Sequence, residues 1–186
     1  MYNLFKDGKR LKMDPTDGST KLNVLLSRIR RNHALEHATI HVLSARNPKM
    51  SIVGRSDHRG FFLYTNLPKT AVEEAAQIAL QRLRGGEHRL AIHPNCGTNL
   101  LTAGLLSGLG AYFSIQGVGD QDQKDKFSRL PLAIMSAILG LILAQPLGSR
   151  IQQHLTTKAD PGALEIKSVE RVQSIKGNLY RIYTSH

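Results

Sequence analysis

Two histidines and a glutamate share one short stretch, His33-Ala34-Leu35-Glu36-His37. On a helix His33 and His37 lie one turn apart on the same face. That spacing lets two imidazole nitrogens meet one zinc ion at about 2.0–2.1 Å each. Glu36 stands beside that face, where a carboxylate can hold a water and take its proton. His41 extends the stripe by one more turn, as an outer partner or an ordinary polar residue. A catalytic zinc site needs a third protein ligand and an open fourth position. The candidates are Cys96, His93, His58, Glu73 and Glu74. Cys96 is the best of them on chemical grounds. It is the only cysteine, it follows the turn Pro94-Asn95, and it is expected at a helix N-terminus, which favours the thiolate that binds zinc. His93 is then an outer partner or a packing residue.

The elements that must position these groups follow from periodicity and breakers. Ser19 or Thr20 can cap a helix running to about Ala45, with Leu22, Leu25, Leu26, Ile29 and Leu35 at helical spacing. Asn47-Pro48 ends it. SIVGRSD and GFFLYTN read as two strands around a turn at Asp57–Gly60. Pro68 and Thr70 open a second helix, AVEEAAQIALQRLR, stopped by Gly85-Gly86. HRLAIH reads as a short strand leading to Cys96. ALEIKSVERVQ and GNLYRIYTS read as a closing strand pair about Lys176-Gly177-Asn178. Residues 1–18, with Asp14-Pro15 and Asp17-Gly18, are expected to be irregular.

Charge separates the middle of the chain from its flanks. The 186 residues carry a formal charge of +11, with 41% hydrophobic residues, which excludes wholesale disorder. One cysteine excludes a disulfide scaffold. Residues 97–119 contain no charged side chain, and neither do residues 130–149. The second run is about the length that crosses a hydrocarbon core. The two read as a transmembrane helical hairpin joined by DQDQKDKFSR, paired through Gly104 and Gly108 on one helix and Ser136, Gly140 and Ala144 on the other. Pro146 falls late in the second span, where a kink is tolerated. The N-terminus shows no apolar core of a cleavable signal, so the hairpin is expected to be the membrane signal. Both basic flanks, and with them both termini and the soluble part, are expected on the cytoplasmic side of a bacterial plasma membrane. Arg28, Arg30 and Arg31, like Arg82, Arg84 and Arg89, read as headgroup-facing or solvated charge. Nucleic acid is not expected as a partner, because aromatics are 5% of the chain and Trp is absent.

The order of elements from HALEH to Cys96-Gly97-Thr98 resembles the S-ribosylhomocysteine lyase family, which pairs an H-x-x-E-H helix with a C-G-T segment supplying the third zinc ligand. The motif helix is also similar to that of the inverzincin peptidases. The resemblance covers roughly residues 20–100. It implies that His33, His37 and Cys96 bind Zn2+, that Glu36 is the general base, and that the chain forms a homodimer about its sites. Where the lyases carry a catalytic cysteine, Ser56-Asp57-His58-Arg59-Gly60-Phe61 offers His58. That histidine would be a second acid/base or a fourth metal ligand. The inverzincins use a downstream glutamate as third ligand, for which Glu73 or Glu74 would be the counterpart. HALEHATIHVL and HPNCGTN together also look like the mark of an uncharacterised bacterial membrane-protein family.

The expected architecture is therefore α+β: an irregular segment 1–18, a helix/antiparallel-sheet metal-site domain over 19–96, a membrane hairpin over 97–150, and a C-terminal β-hairpin over 151–186 packing on the soluble domain. The expected function is a membrane-anchored zinc hydrolase, most simply a peptidase, acting on a membrane-protein segment, a peptide or a lipid-linked molecule. Two alternatives compete with it. One is a metal-free hydrolase or acyltransferase in which Cys96 attacks and a histidine is its base. The other is a zinc-binding membrane assembly or structural protein without catalysis.

Overall fold

The structure is a computed structural model that describes residues 5–6, 9–10, 18–116, 127–173 and 177–186. Strands β1 (Phe5–Lys6) and β2 (Lys9–Arg10) form a short antiparallel pair. The turn residues Asp14-Pro15 and Asp17, the interhelical segment 117–126 and Lys176 lie outside the described residues. Helix α1 (Gly18–Arg46) then runs unbroken for 29 residues. Its second half is buried on Leu35, Ala38, Val42 and Leu43, whereas Leu22, Leu25 and Leu26 in its first half are exposed.

A four-stranded antiparallel sheet lies against α1. Its order is β3 (Val53–Asp57), β4 (Gly60–Thr65), β6 (Asn178–Ser185), β5 (Glu165–Val172). The C-terminal strands join the sheet of the soluble domain. β6 pairs directly with β4, from Gly60↔Tyr183 to Thr65↔Asn178, so distant parts of the chain build one sheet. Alternation fixes which side faces inward. Phe61 and Leu63 of β4 and Ile182 of β6 are fully buried with Leu35, Leu43 and Leu164. On the opposite face Arg181 lies across the rings of Phe62 and Tyr183 at 4.3 and 5.1 Å and bonds Asp57 at 2.7 Å. The β3–β4 turn closes on Gly60 (φ 141°), where a Cβ would strike the Ile182 carbonyl.

Helix α2 (Lys69–Arg84) starts at Pro68 and covers the core with Val72, Ala75, Ala76, Ala79, Leu80 and Leu83. The expected strand HRLAIH is instead a 3-10 turn over His88–Ala91. It packs against α1 and α2 rather than pairing with a strand. Backbone carbonyls at its end serve α1: Ala91 accepts from His37 and Ile92 from His41.

Helices α3 (Gly97–Ile115) and α4 (Leu130–Ile151) leave this domain together, and α4 ends in a π-turn over Gln152–Thr156. The run Leu130–Thr156, 27 residues, is long and apolar enough to cross a membrane, and only 17% of its apolar window is buried. Among the described residues α4 is the one helix that reaches that measure. Small residues let α3 and α4 touch. A Cβ on Gly140 would come within 2.7 Å of the Leu106 and Ser107 backbone, one on Gly110 within 3.0 Å of Ser136 O, and Ser114 bonds Ser136 at 2.7 Å. Ala144 and Gly148 continue the α4 stripe. Gly104 and Gly108, expected at this contact, have open space where a side chain would be. The α3 side of the contact is turned to Ser107, Gly110 and Ser114 instead.

Candidate metal centre

Three side chains distant in sequence meet where α1 passes the start of α3. The donor atoms of His33, His37 and Cys96 all lie within 4.8 Å of one another. Cys96 caps α3, and its Sγ is 3.3 Å from His33 Nε2. Around a tetrahedral zinc with ligand bonds of about 2.0–2.3 Å, neighbouring donors sit roughly 3.3–3.7 Å apart. Small side-chain rotations therefore suffice to close the group around an ion. Backbone carbonyls hold both rings for that task. His33 Nδ1 donates to Thr156 O at 3.0 Å and His37 Nδ1 to Ala91 O at 2.7 Å. These bonds leave the Nε2 lone pairs for a ligand, the usual outer support of metal-binding imidazoles.

Glu36 lies beside the donors but is not one of them. Its side chain is buried, and Oε2 has no hydrogen-bond partner. Burial pushes the carboxyl up to about 7, against the opposing pull of His33 and the Ser56 hydroxyl bond. Room for it comes from β3: a Cβ on Gly54 would lie 2.7 Å from the Glu36 Cδ and Cγ atoms. An unpartnered buried carboxylate oxygen next to two imidazoles and a thiol suits a positively charged ion in the group. Burial pushes the Cys96 thiol up, yet the adjoining His37 side chain and the hydrogen bond from the Thr98 backbone outweigh it and bring the net value down. Burial lowers His37, so its imidazole is held neutral, the form that ligates.

The donors open onto a cleft of about 810 Å³ between α1, β3 and the start of α3, with Met50, Ile52 and Leu100 among its apolar walls. β3 is an edge strand, and its residues Val53–Ser56 line this cleft. His93 lines it too, with its ring 5.7 Å from His37 and 5.0 Å from His41. Burial lowers the His93 imidazole, with His41 adding to the shift. His41 bonds Ile92 O at 2.8 Å and supports His93 from behind.

Other expected participants lie elsewhere. His58 is on the exposed β3–β4 turn and does not line the cleft, because the tight turn at Gly60 carries it past the end of the sheet. Glu73 pairs with Lys69 at 3.3 Å and Glu74 with Arg46 at 2.9 Å, all on exposed surface. Four residues matter that motif reading did not single out. Ser56 and Gly54 shape the Glu36 pocket. Asn32, fully buried, donates to Asp57 O and accepts from Thr184. Gln152, also fully buried, accepts from His93 N at 2.9 Å and donates to His93 O and Asn99 Oδ1. A glutamine directly after an apolar helix was the one available signal for the last; Gly54 carries none without the fold.

Fold and donors together define an α+β protein with a His/His/Cys group close enough to hold a metal ion, set where an apolar helix of membrane-spanning length rejoins the domain. The chain belongs to the DUF6391 family, a domain of unknown function whose model matches residues 28–169. It is 35% identical over 164 residues to an uncharacterised protein of Picosynechococcus sp. (strain PCC 7002), covering 81% of this chain and 75% of that protein. No solved structure matches it.

Proposed function

We propose that this chain is a membrane-anchored, zinc-dependent hydrolase with a peptidase-like site. The observation that carries the reading is the convergence of His33, His37 and Cys96 within 4.8 Å beside the buried carboxylate of Glu36, whose Oε2 has no partner. Zinc bound there would supply Lewis acidity toward a substrate carbonyl. His33, His37 and Cys96 would hold it, leaving the cleft side open for substrate. Glu36 takes the proton from the attacking water and returns it to the leaving group; a carboxyl held near neutrality by burial suits both transfers. The apolar cleft walls and the free edge of β3 suit an extended segment of polypeptide. α4 anchors the site at the lipid surface, with the basic flanks on the cytoplasmic side. The reading rests on the donor geometry and not on kinship to the lyases or inverzincins.

Protein purified in detergent should carry one zinc per chain by mass spectrometry. His33→Ala and Cys96→Ala should lose it. Glu36→Gln should keep it while hydrolysis of a fluorogenic peptide library falls about 10²–10⁴-fold. Undiminished hydrolysis by Glu36→Gln removes Glu36 as the base. The 3.3 Å contact between Cys96 Sγ and His33 Nε2 favours one second reading, a metal-free Cys–His nucleophile. A metal-free active protein whose Cys96 is alkylated by iodoacetamide would decide for it.

A further inference from the structure

The geometry points to a second membrane contact: the first half of α1 is an interfacial helix whose stripe Leu22, Leu25, Leu26 and Ile29 lies in the headgroup and acyl boundary of the bilayer. The inference rests on α4 spanning that bilayer. At 100° per residue these four positions fall on the same face of α1 as His33, within about 60° of one line. That face is the one to which the apolar helices are tied. His33 touches Cys96, where α3 begins, and bonds Thr156, just after α4 ends. Arg30 fixes the same point, with Nη2 donating to His154 O at 2.8 Å and Thr157 O at 3.0 Å, and its own carbonyl accepting from Lys158 N. Measured along α1 from Arg30, the stripe reaches Leu26 after about 6 Å and Leu22 after about 12 Å.

Among the described residues, nothing covers its three leucines, while Ile29 is partly buried where the stripe meets the domain. Leu22, Leu25 and Leu26 are 54%, 39% and 46% exposed. So large an apolar stripe in water is unfavourable, and next to a membrane exit the acyl boundary is the nearest apolar phase. Lys21 and Arg28 lie along one edge of the stripe, and their charge complements lipid phosphates. Phosphatidylglycerol-rich bilayers are the partner this chemistry selects.

The chain has no tryptophan, so a single introduced one reports its own surroundings. Full-length Leu25→Trp is reconstituted into phosphatidylcholine/phosphatidylglycerol vesicles with and without dibrominated acyl chains. Val24→Trp, on the opposite side of α1, is the control. The indole of the Leu25→Trp protein should lose at least half its emission to the brominated lipid and resist acrylamide; that of the Val24→Trp protein should show the reverse. Acrylamide quenching as strong in Leu25→Trp as in Val24→Trp would overturn the inference. So would an indole in Leu25→Trp shielded from both quenchers, which assigns the stripe to a second copy or, if deleting residues 1–17 exposes it, to the chain's own N-terminal segment. Carbonate washing separates the premises. A protein released by carbonate loses the spanning reading as well, whereas a resistant Leu25→Trp protein unquenched by brominated lipid loses this inference alone.

Discussion

Gly54→Ala tests the Glu36 pocket without knowledge of any substrate. A methyl there would sit 2.7 Å from the Glu36 Cδ and Cγ atoms, about 1 Å inside ordinary carbon contact. Either β3 or the carboxylate must move, and overpacking of this kind costs about 1–3 kcal/mol. Against it stands the gain from replacing a strand glycine, about 0.4–1 kcal/mol. The clash wins while Glu36 is present, so Gly54→Ala should be destabilising by about 1 kcal/mol or more. In a Glu36→Ala background the clash has no partner, and the same substitution should become neutral or stabilising. The sign change is the prediction. The four proteins of the cycle are compared by urea unfolding in detergent, followed by far-ultraviolet circular dichroism, with a coupling of about 1–3 kcal/mol expected for touching side chains. Displacing the carboxylate should also cut hydrolysis while zinc stays bound, since the atoms nearest a Gly54 Cβ belong to Glu36 and not to the three donors. An equal cost of Gly54→Ala in both backgrounds would refute the pocket, and with it the placement of Glu36 as base.

Three further outcomes follow from single residues. The Asp57 carboxyl is opposed by its own burial but held below its usual range by the Arg181, Arg59 and His58 groups around it, so the stability it contributes is complete above about pH 4 and is lost as pH falls through the lower folded value; acid titrations of unfolding should lose that component in Asp57→Asn. Asn32→Ala removes the bond to Asp57 O at 2.8 Å and the one from Thr184 at 2.8 Å, leaving buried partners unmatched, and should cost about 2–3 kcal/mol in denaturant unfolding. Gln152→Leu keeps the volume but releases His93 and Asn99, so zinc should be removed by a chelator faster than from the parent, while the helical content of the apolar segment is unchanged.

The motif helix, both hairpins and the pairing of Cys96 with the two histidines were legible because each has a local cause: periodicity, turn residues, a cap position and the valence of a thiolate. What was not legible depends on neighbours. HRLAIH alternates like a strand, yet its role is to turn tightly and present the Ala91 and Ile92 carbonyls to α1. Gly104 and Gly108 have the spacing of a helix contact, but the angle at which α3 leaves Cys96 brings Gly110 and Ser114 to α4 instead. His58 lies two residues from Ser56 in sequence, a spacing that would share one face of a longer strand, but β3 ends at Asp57 and the tight turn beyond it parts them: Ser56 reaches Glu36 and His58 faces solvent. The same reasoning explains why the donor group belongs to the apolar helices as much as to the sheet. One candidate donor, Cys96, is the cap of α3; the orientation of a second, His33, is fixed by the Thr156 carbonyl after α4; and Gln152 ties both ends to His93. A change that shifts α3 against α4 therefore moves Cys96 relative to His33, so the state of the apolar helices and the geometry of the candidate metal centre are one mechanical problem.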